Sequence, residues 1–228
     1  MGGRARVLAV AVLLAALSGP APAGEVPDPD PERFADAIAA FVAWDSKNAV
    51  PESPLLFVGS SSIRLWPTAA AFPGLPVVNR GFGGSELSDI LHYYDRVIRP
   101  YAPSQIVLYA GDNDVAAGKS AERVFADFRR IADRVATDFP NTELVFISIK
   151  PSKARWQFWP VMQEANRLVA AYAEGRERVR YADLATPLLD NSGQPKDVYL
   201  DDGLHLDARG YDLWQAALAP YMKRDTVK

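Results

Sequence analysis

Leu55-Leu56-Phe57-Val58 is apolar at every position and stops at Gly59. Similar runs follow at Val77-Val78, Ile106-Val107-Leu108-Tyr109 and Leu144-Val145-Phe146-Ile147, with a less regular one from Val179 to Leu184. A strand with one wet face alternates apolar and polar residues, whereas an unbroken short run reads as a strand buried on both faces, the situation of a parallel sheet covered by helices. The segments between the runs supply those helices. Asp30 before Pro31 is a cap and first-turn pair, and it opens a helix over 31–44 with Phe34, Ile38, Phe41 and Val42 on one stripe. Helical spacing returns over 86–98 and over 121–139, the latter with Val124, Phe128, Ile131, Val135 and Phe139 on one side. It returns again over 161–174 and over 208–222, where Tyr211, Trp214, Leu218 and Tyr221 face inward. Five buried strands separated by helices make an α/β fold with a five-stranded parallel sheet covered on both sides. At 228 residues and 49% hydrophobic content, with no linker and no internal repeat, one domain over 24–228 is expected.

Residues 1–23 stand outside that domain. Arg4 and Arg6 precede an apolar run from Val7 to Leu17, and Ala21-Pro22-Ala23 follows, which is the layout of a secretory signal peptide with cleavage after Ala23. The run is too short for a bilayer core, which needs about 20 residues, so no stable membrane span is expected. Export to a periplasm or to the medium is the expectation. Removing the two arginines takes the formal charge from −3 to −5, and nothing in that balance points to nucleic acid. The chain has no cysteine, which excludes a thiol nucleophile and a Cys-based zinc site, and its two histidines, His92 and His205, make a histidine-rich metal site unexpected.

In an open α/β sheet, the loops that leave the strand C-termini carry the binding crevice. Four segments are placed there. Gly59-Ser60-Ser61-Ser62 follows the first run, with a glycine for a tight turn and serines able to project a hydroxyl or to cap a helix. Asn79 to Gly84 is glycine-rich, which suits either a plain turn or a loop whose backbone N–H approaches a bound oxygen. Gly111-Asp112-Asn113-Asp114 offers an Asn side chain able to donate to an oxyanion, with Asp112 and Asp114 expected as turn formers. Asp202-Gly203-Leu204-His205 puts a carboxylate three residues before a histidine, so that the carboxylate can fold back on the imidazole and hold one nitrogen protonated while the other faces a serine. His92, beside Tyr93 and Tyr94, has no such partner and reads as structural.

Taken in order from Leu55 to His205, these blocks resemble the SGNH or GDSL hydrolases, a superfamily of serine esterases and lipases. The resemblance implies a flavodoxin-like three-layer α/β/α sandwich and ester hydrolysis without a metal or other cofactor. Carried over block by block, it places the nucleophile on Ser61 and the triad partners on Asp202 and His205. The oxyanion hole falls on the backbone N–H groups of Ser61 and Gly84 and the side chain of Asn113. Two positions depart from the family pattern. Ser60 stands where an aspartate is usual, leaving Ser60 and Ser62 as rival nucleophiles, and Gly83 beside Gly84 leaves the donor glycine open. Asp201 lies one residue too far from His205 for the pattern.

The expected partner is a small-molecule ester, an acylated carbohydrate or a lysolipid. Arg155-Trp156-Gln157-Phe158-Trp159-Pro160 could rim the pocket or anchor its loop to the core, and Arg64 and Trp66 carry the same two readings. The absence of a long lid insertion favours short acyl groups, acetyl above all, over long chains. A non-catalytic glycan or envelope binder and a nucleotide binder are the competing classes, the latter without a recognisable phosphate cradle.

Overall fold

The structure, a computed structural model, describes residues 26–223, so the expected signal segment lies outside the described residues. The five runs are strands: β1 Leu55–Gly59, β2 Val77–Gly81, β3 Gln105–Tyr109, β4 Glu143–Ile147 and β5 Val179–Ala182. They pair in the order β2-β1-β3-β4-β5, and every pairing is parallel, with Leu56 beside both Val78 and Ile106. Successive strand residues point to opposite faces, and here each face has its own core. Leu56, Val58, Ile106, Leu108, Leu144 and Phe146 enter one core, while Leu55, Phe57, Val107, Tyr109, Val145 and Ile147 enter the other. Both sets must be apolar, which is why the runs do not alternate.

The helices are α1 Ala35–Asp45, α2 Ser61–Arg64, α3 Thr68–Ala71, α4 Leu87–His92, α5 Tyr94–Val97, α6 Asp112–Ala116, α7 Ala121–Asp138, α8 Trp159–Ala173 and α9 Ala208–Leu218. Phe34 and Ile38, then Ile90, Val97, Phe128, Ile131 and Val169, place α1, α4, α5, α7 and α8 on the first face. Trp66, Ala71, Tyr211, Trp214 and Leu218 bring the α2–α3 segment and α9 to the second. The result is the three-layer α/β/α sandwich that the resemblance implies. Among the described residues no helix is long and apolar enough to cross a membrane.

Several boundaries differ from those read in the sequence. The first helix opens with a 3-10 turn, Pro31–Phe34, whose Glu32 N–H donates to Asp30 Oδ1 at 3.0 Å, and Val42 is 47% exposed rather than part of the buried stripe. The 86–98 segment divides at Tyr93, which leaves helical geometry at ψ 12°. β2 runs on through Asn79, Arg80 and Gly81, so the glycine-rich loop begins inside the sheet. The last helix ends at Leu218 and tightens into a 3-10 turn over Ala219–Tyr221.

The end of β1 is unusually constrained. Gly59 sits at φ +151°, and a Cβ built on it would lie 1.9 Å from the Tyr109 carbonyl oxygen, which itself accepts from the Ser60 N–H at 3.1 Å. Only glycine allows the chain to turn there while remaining paired to β3. Gly59→Ala is expected to cost about 1–3 kcal/mol in backbone strain alone, with the clash in addition. Chemical denaturation checks this, and an unchanged midpoint would contradict the account.

Candidate active site

Immediately after Gly59, Ser60 is the N-cap residue of α2 and Ser61 its first helical residue. The hydroxyl-bearing neighbours separate by burial: Ser60 is 0% and Ser62 1% exposed, while Ser61 reaches the cleft above the sheet. Of the three serines, Ser61 is the one brought to the histidine, with His205 Nε2 3.0 Å from Ser61 Oγ. On the other side of the ring, His205 Nδ1 lies 2.6 Å from Asp202 Oδ2. The remaining carboxylate oxygen of Asp202 accepts the Leu204 N–H at 2.8 Å and the His205 N–H at 2.9 Å. One oxygen thus folds the loop and the other orients the ring, which is what an Asp-x-x-His spacing permits. These bonds to His205 and Leu204 pull the Asp202 carboxyl down to about 2 from 3.8.

The loop is held from below. Lys150, 1% exposed in its side chain, donates from Nζ to the Leu204 carbonyl at 2.8 Å and lies 3.7 Å from Asp112 Oδ2. Burial lowers the Lys150 pKa, and Asp112 opposes that shift. Asp112 also accepts from Arg155 Nη1 at 3.0 Å. Asp112 and Asp114 therefore are not turn formers at a loop tip. Both are buried at the start of α6, and Asp114 accepts the Leu87 N–H at 3.1 Å and lies 3.4 Å from Lys119 Nζ. Lys119 in turn lies 2.9 Å from Glu86 and 2.8 Å from Asp28. Isolated aspartates in a Gly-Asp-Asn-Asp segment resemble turn chemistry, and only the distant partners Lys150, Arg155 and Lys119 distinguish the buried role. A lysine directly behind an apolar strand run, as in Ile147-Ser148-Ile149-Lys150, was the available signal for the first of these.

The other predicted donors converge on the same cleft. Phe82 to Ser85 forms a turn closed by the Ser85 N–H to the Phe82 carbonyl at 3.3 Å, with Gly84 at φ +88° in its third position, where glycine is required. Gly83 does a different job, packing under Arg64. Asn113 donates one side-chain N–H to the Ser85 carbonyl at 2.9 Å, which ties α6 to the glycine turn and leaves a second N–H on the same amide. Neither the Ser61 nor the Gly84 N–H is taken by an acceptor among the described residues. The cleft encloses about 620 Å³ and is lined by Ser61, Gly83, Gly84, Asn113 and His205 together with an apolar wall of Phe34, Ala37, Ala40, Phe41 and Phe82.

A hydroxyl, an imidazole and a carboxylate in this sequence of contacts, facing free N–H donors, form an arrangement suited to acyl transfer. A GDSL-like lipase/acylhydrolase family profile matches residues 60–213. The chain belongs to this family. Solved structures agree with the fold of this GDSL-like hydrolase. A protein from Streptococcus pneumonia named for platelet activating factor is 26% identical, with 83% of this chain and 92% of that one covered at a TM-score of 0.74. A GDSL-like lipase from Bacteroides thetaiotaomicron is 20% identical, covering 84% of this chain and 96% of that one at 0.67. An acetylxylan esterase from Geobacillus stearothermophilus is 15% identical, covering 75% and 95% at 0.60. No curated protein sequence matches the chain significantly.

Trp66 and the aromatic side chains of the 155–160 segment serve the cores of this GDSL-like hydrolase rather than the lining of its cleft. Trp66 is 2% exposed in the second core, stacked on Tyr211. Of the Arg155–Pro160 segment, only Arg155 lines the cleft. Trp156, Phe158 and Trp159 pack against the first core and anchor the loop. His92 lies on α4 with its ring edge-on to Tyr93, 4.6 Å between centroids.

A carboxyl whose pKa falls on folding stabilises the native state where it is ionised. The Asp202 contribution is full above 3.8 and is lost as pH falls toward about 2. Asp202→Asn is therefore expected to melt below the parent at neutral pH, with the gap closing as pH drops from 3.8 toward about 2. Thermal melts across that range check it, and a gap independent of pH would contradict the assignment.

Proposed function

We propose that this chain is an exported serine esterase that cleaves short acyl groups, acetyl above all, through Ser61, His205 and Asp202. The observation that carries the reading is the 3.0 Å contact from Ser61 Oγ to His205 Nε2, with Asp202 2.6 Å behind the ring. In this reading His205, held in one tautomer by Asp202, takes the Ser61 proton as Oγ attacks the ester carbonyl. The tetrahedral oxyanion is stabilised by the Ser61 and Gly84 N–H groups and the free N–H of Asn113, all donors present before the reaction begins. Collapse expels the alcohol, which takes the proton from His205. Water, deprotonated by the same imidazole, then releases the acid and restores Ser61.

The short-acyl assignment is supported by the absence, among the described residues, of a long insertion between the elements that border the cleft. An acetylated carbohydrate is the proposed natural ester, and the family membership and the acetylxylan esterase likeness are in keeping with it. A second reading, cleavage of longer acyl chains as in a lysolipid, draws on the apolar wall that Phe34, Phe41 and Phe82 present to the cleft.

Hydrolysis of p-nitrophenyl esters of increasing acyl length separates these. The expected result is a maximum at acetyl and a fall of about four orders of magnitude or more in Ser61→Ala. A maximum at long chains would favour the lysolipid, and activity that persists without Ser61 would reject the triad. Asn113→Ala is expected to lose about 100-fold to 1000-fold in kcat, and a near-normal kcat would reject Asn113 as an oxyanion donor.

A further inference from the structure

The cleft is charged in the opposite sense to the chain. Asp and Glu number 28 against 25 Lys and Arg overall, yet the cleft lining holds two arginines, Arg64 and Arg155, and no carboxylate. Arg64 sits three residues after Ser61 on α2, a spacing that places both on one helix face. Its guanidinium lies over Gly83, where a Cβ would come within 2.8 Å of Nε and 3.1 Å of Nη2, so the missing side chain of Gly83 makes its seat. Other cleft-side and core arginines are committed: Arg33 to Asp89, Arg80 to Asp45, Arg155 to Asp112. Arg64 is exposed and has no ion pair or side-chain hydrogen bond among the described residues. Arg155, which also lines the cleft, gives Asp112 one bond from a guanidinium that carries five N–H donors.

A guanidinium without a protein partner, seated beside a reacting serine in a cleft free of carboxylates, matches the planar oxygens of a carboxylate or a phosphate. We infer that the ester taken by this cleft carries an anionic group, a carboxylate or a phosphate, in its alcohol portion, bound by Arg64 beside the reacting carbonyl. The inference rests on the serine-esterase reading, and the alcohol portion is specified because an acetyl group has no room for a charge. Arg155 supplies a second cationic edge, and the apolar wall takes the hydrocarbon part of the alcohol.

Three aryl acetates test it: neutral methyl 4-acetoxybenzoate, and 4-acetoxybenzoate and 4-acetoxyphenyl phosphate, which carry an anion on the same ring. Intrinsic reactivity differs among them, so the quantity read is how the anionic-to-neutral ratio of kcat/KM changes on mutation. In Arg64→Gln that ratio is expected to fall by roughly 10-fold to 100-fold, the range of one charge-assisted hydrogen-bonded contact. Arg64→Lys, which keeps the charge, is expected to recover part of it. Whether the carboxylate or the phosphate ester shows the larger fall identifies the anion. Ser61-dependent hydrolysis with an unchanged ratio in Arg64→Gln overturns the anion site and leaves the esterase standing. Absence of any Ser61-dependent hydrolysis counts against the esterase instead. The anion site is then decided by calorimetric titration of phenyl phosphate and benzoate into the parent and Arg64→Gln chains. Binding that depends on Arg64 upholds it, and equal or absent binding overturns it.

Discussion

Everything in the cleft depends on how β1 ends. Its last residue, Gly59, gives its carbonyl to the Phe82 N–H at 2.9 Å, and the next N–H, that of Ser60, still reaches the Tyr109 carbonyl at 3.1 Å. The strand is therefore clamped by both neighbours at the point where the chain must turn into α2. Because the sheet is buried on both faces, there is no route for that turn except through the space above the strand ends, and a glycine at φ +151° is what lets the chain take it. Ser61 is carried to the mouth of the crevice as a consequence of backbone pairing, before any side chain of the site makes a contact. The β2-β1-β3 neighbourhood is also where connections depart in opposite directions, the switch point at which an open α/β sheet leaves a crevice.

The converging loops are fixed by buried charge as well as by the apolar packing of Phe82, Ile149 and Leu206. Lys150 and Arg155 meet Asp112 beneath the Leu204 carbonyl, and Lys119 gathers Asp28, Glu86, Asp114 and Asp127 beside the glycine turn. Buried ion pairs are weak as a source of stability because each ion gives up its hydration, but removing one partner leaves an uncompensated charge. Their value here is positional: an ion cluster tolerates few alternative arrangements, so the Asp202–His205 loop and the Asn113 amide are each set to one place.

How much of this was readable depended on how local the cause was. The strands and their parallel class were legible because burial on two faces leaves an unbroken apolar run, and the Asp202–His205 pair because a three-residue spacing is closed by backbone geometry within the same loop. Choosing Ser61 among three serines was not local. It follows from Ser60 and Ser62 turning inward, which only the seat of α2 decides. Asp112 and Asp114 read as turn formers for the same reason, since their partners lie at positions 150, 155 and 119 and no spacing rule connects them. The split at Tyr93 and the exposure of Val42 reflect packing that overrides helical periodicity.

Most of the apolar wall of the cleft, Phe34, Ala37, Ala40 and Phe41, comes from α1 and the residue before it, which precede β1 and belong to none of the strand-to-strand crossovers, while Phe82 completes it from the glycine turn. This helix is fastened at its two ends by Arg33 to Asp89 and by the contact of Asp45 with Arg80 and Tyr101. Neither fastening involves a side chain that faces Ser61. The α1 part of the wall thus comes from a different segment than the serine, asparagine and histidine of the cleft, meeting the glycine turn at the Phe34–Phe82 contact: the helix can be resurfaced at Ala37, Ala40 or Phe41 to change the shape of what is admitted while the crossovers that assemble serine, asparagine and histidine stay as they are.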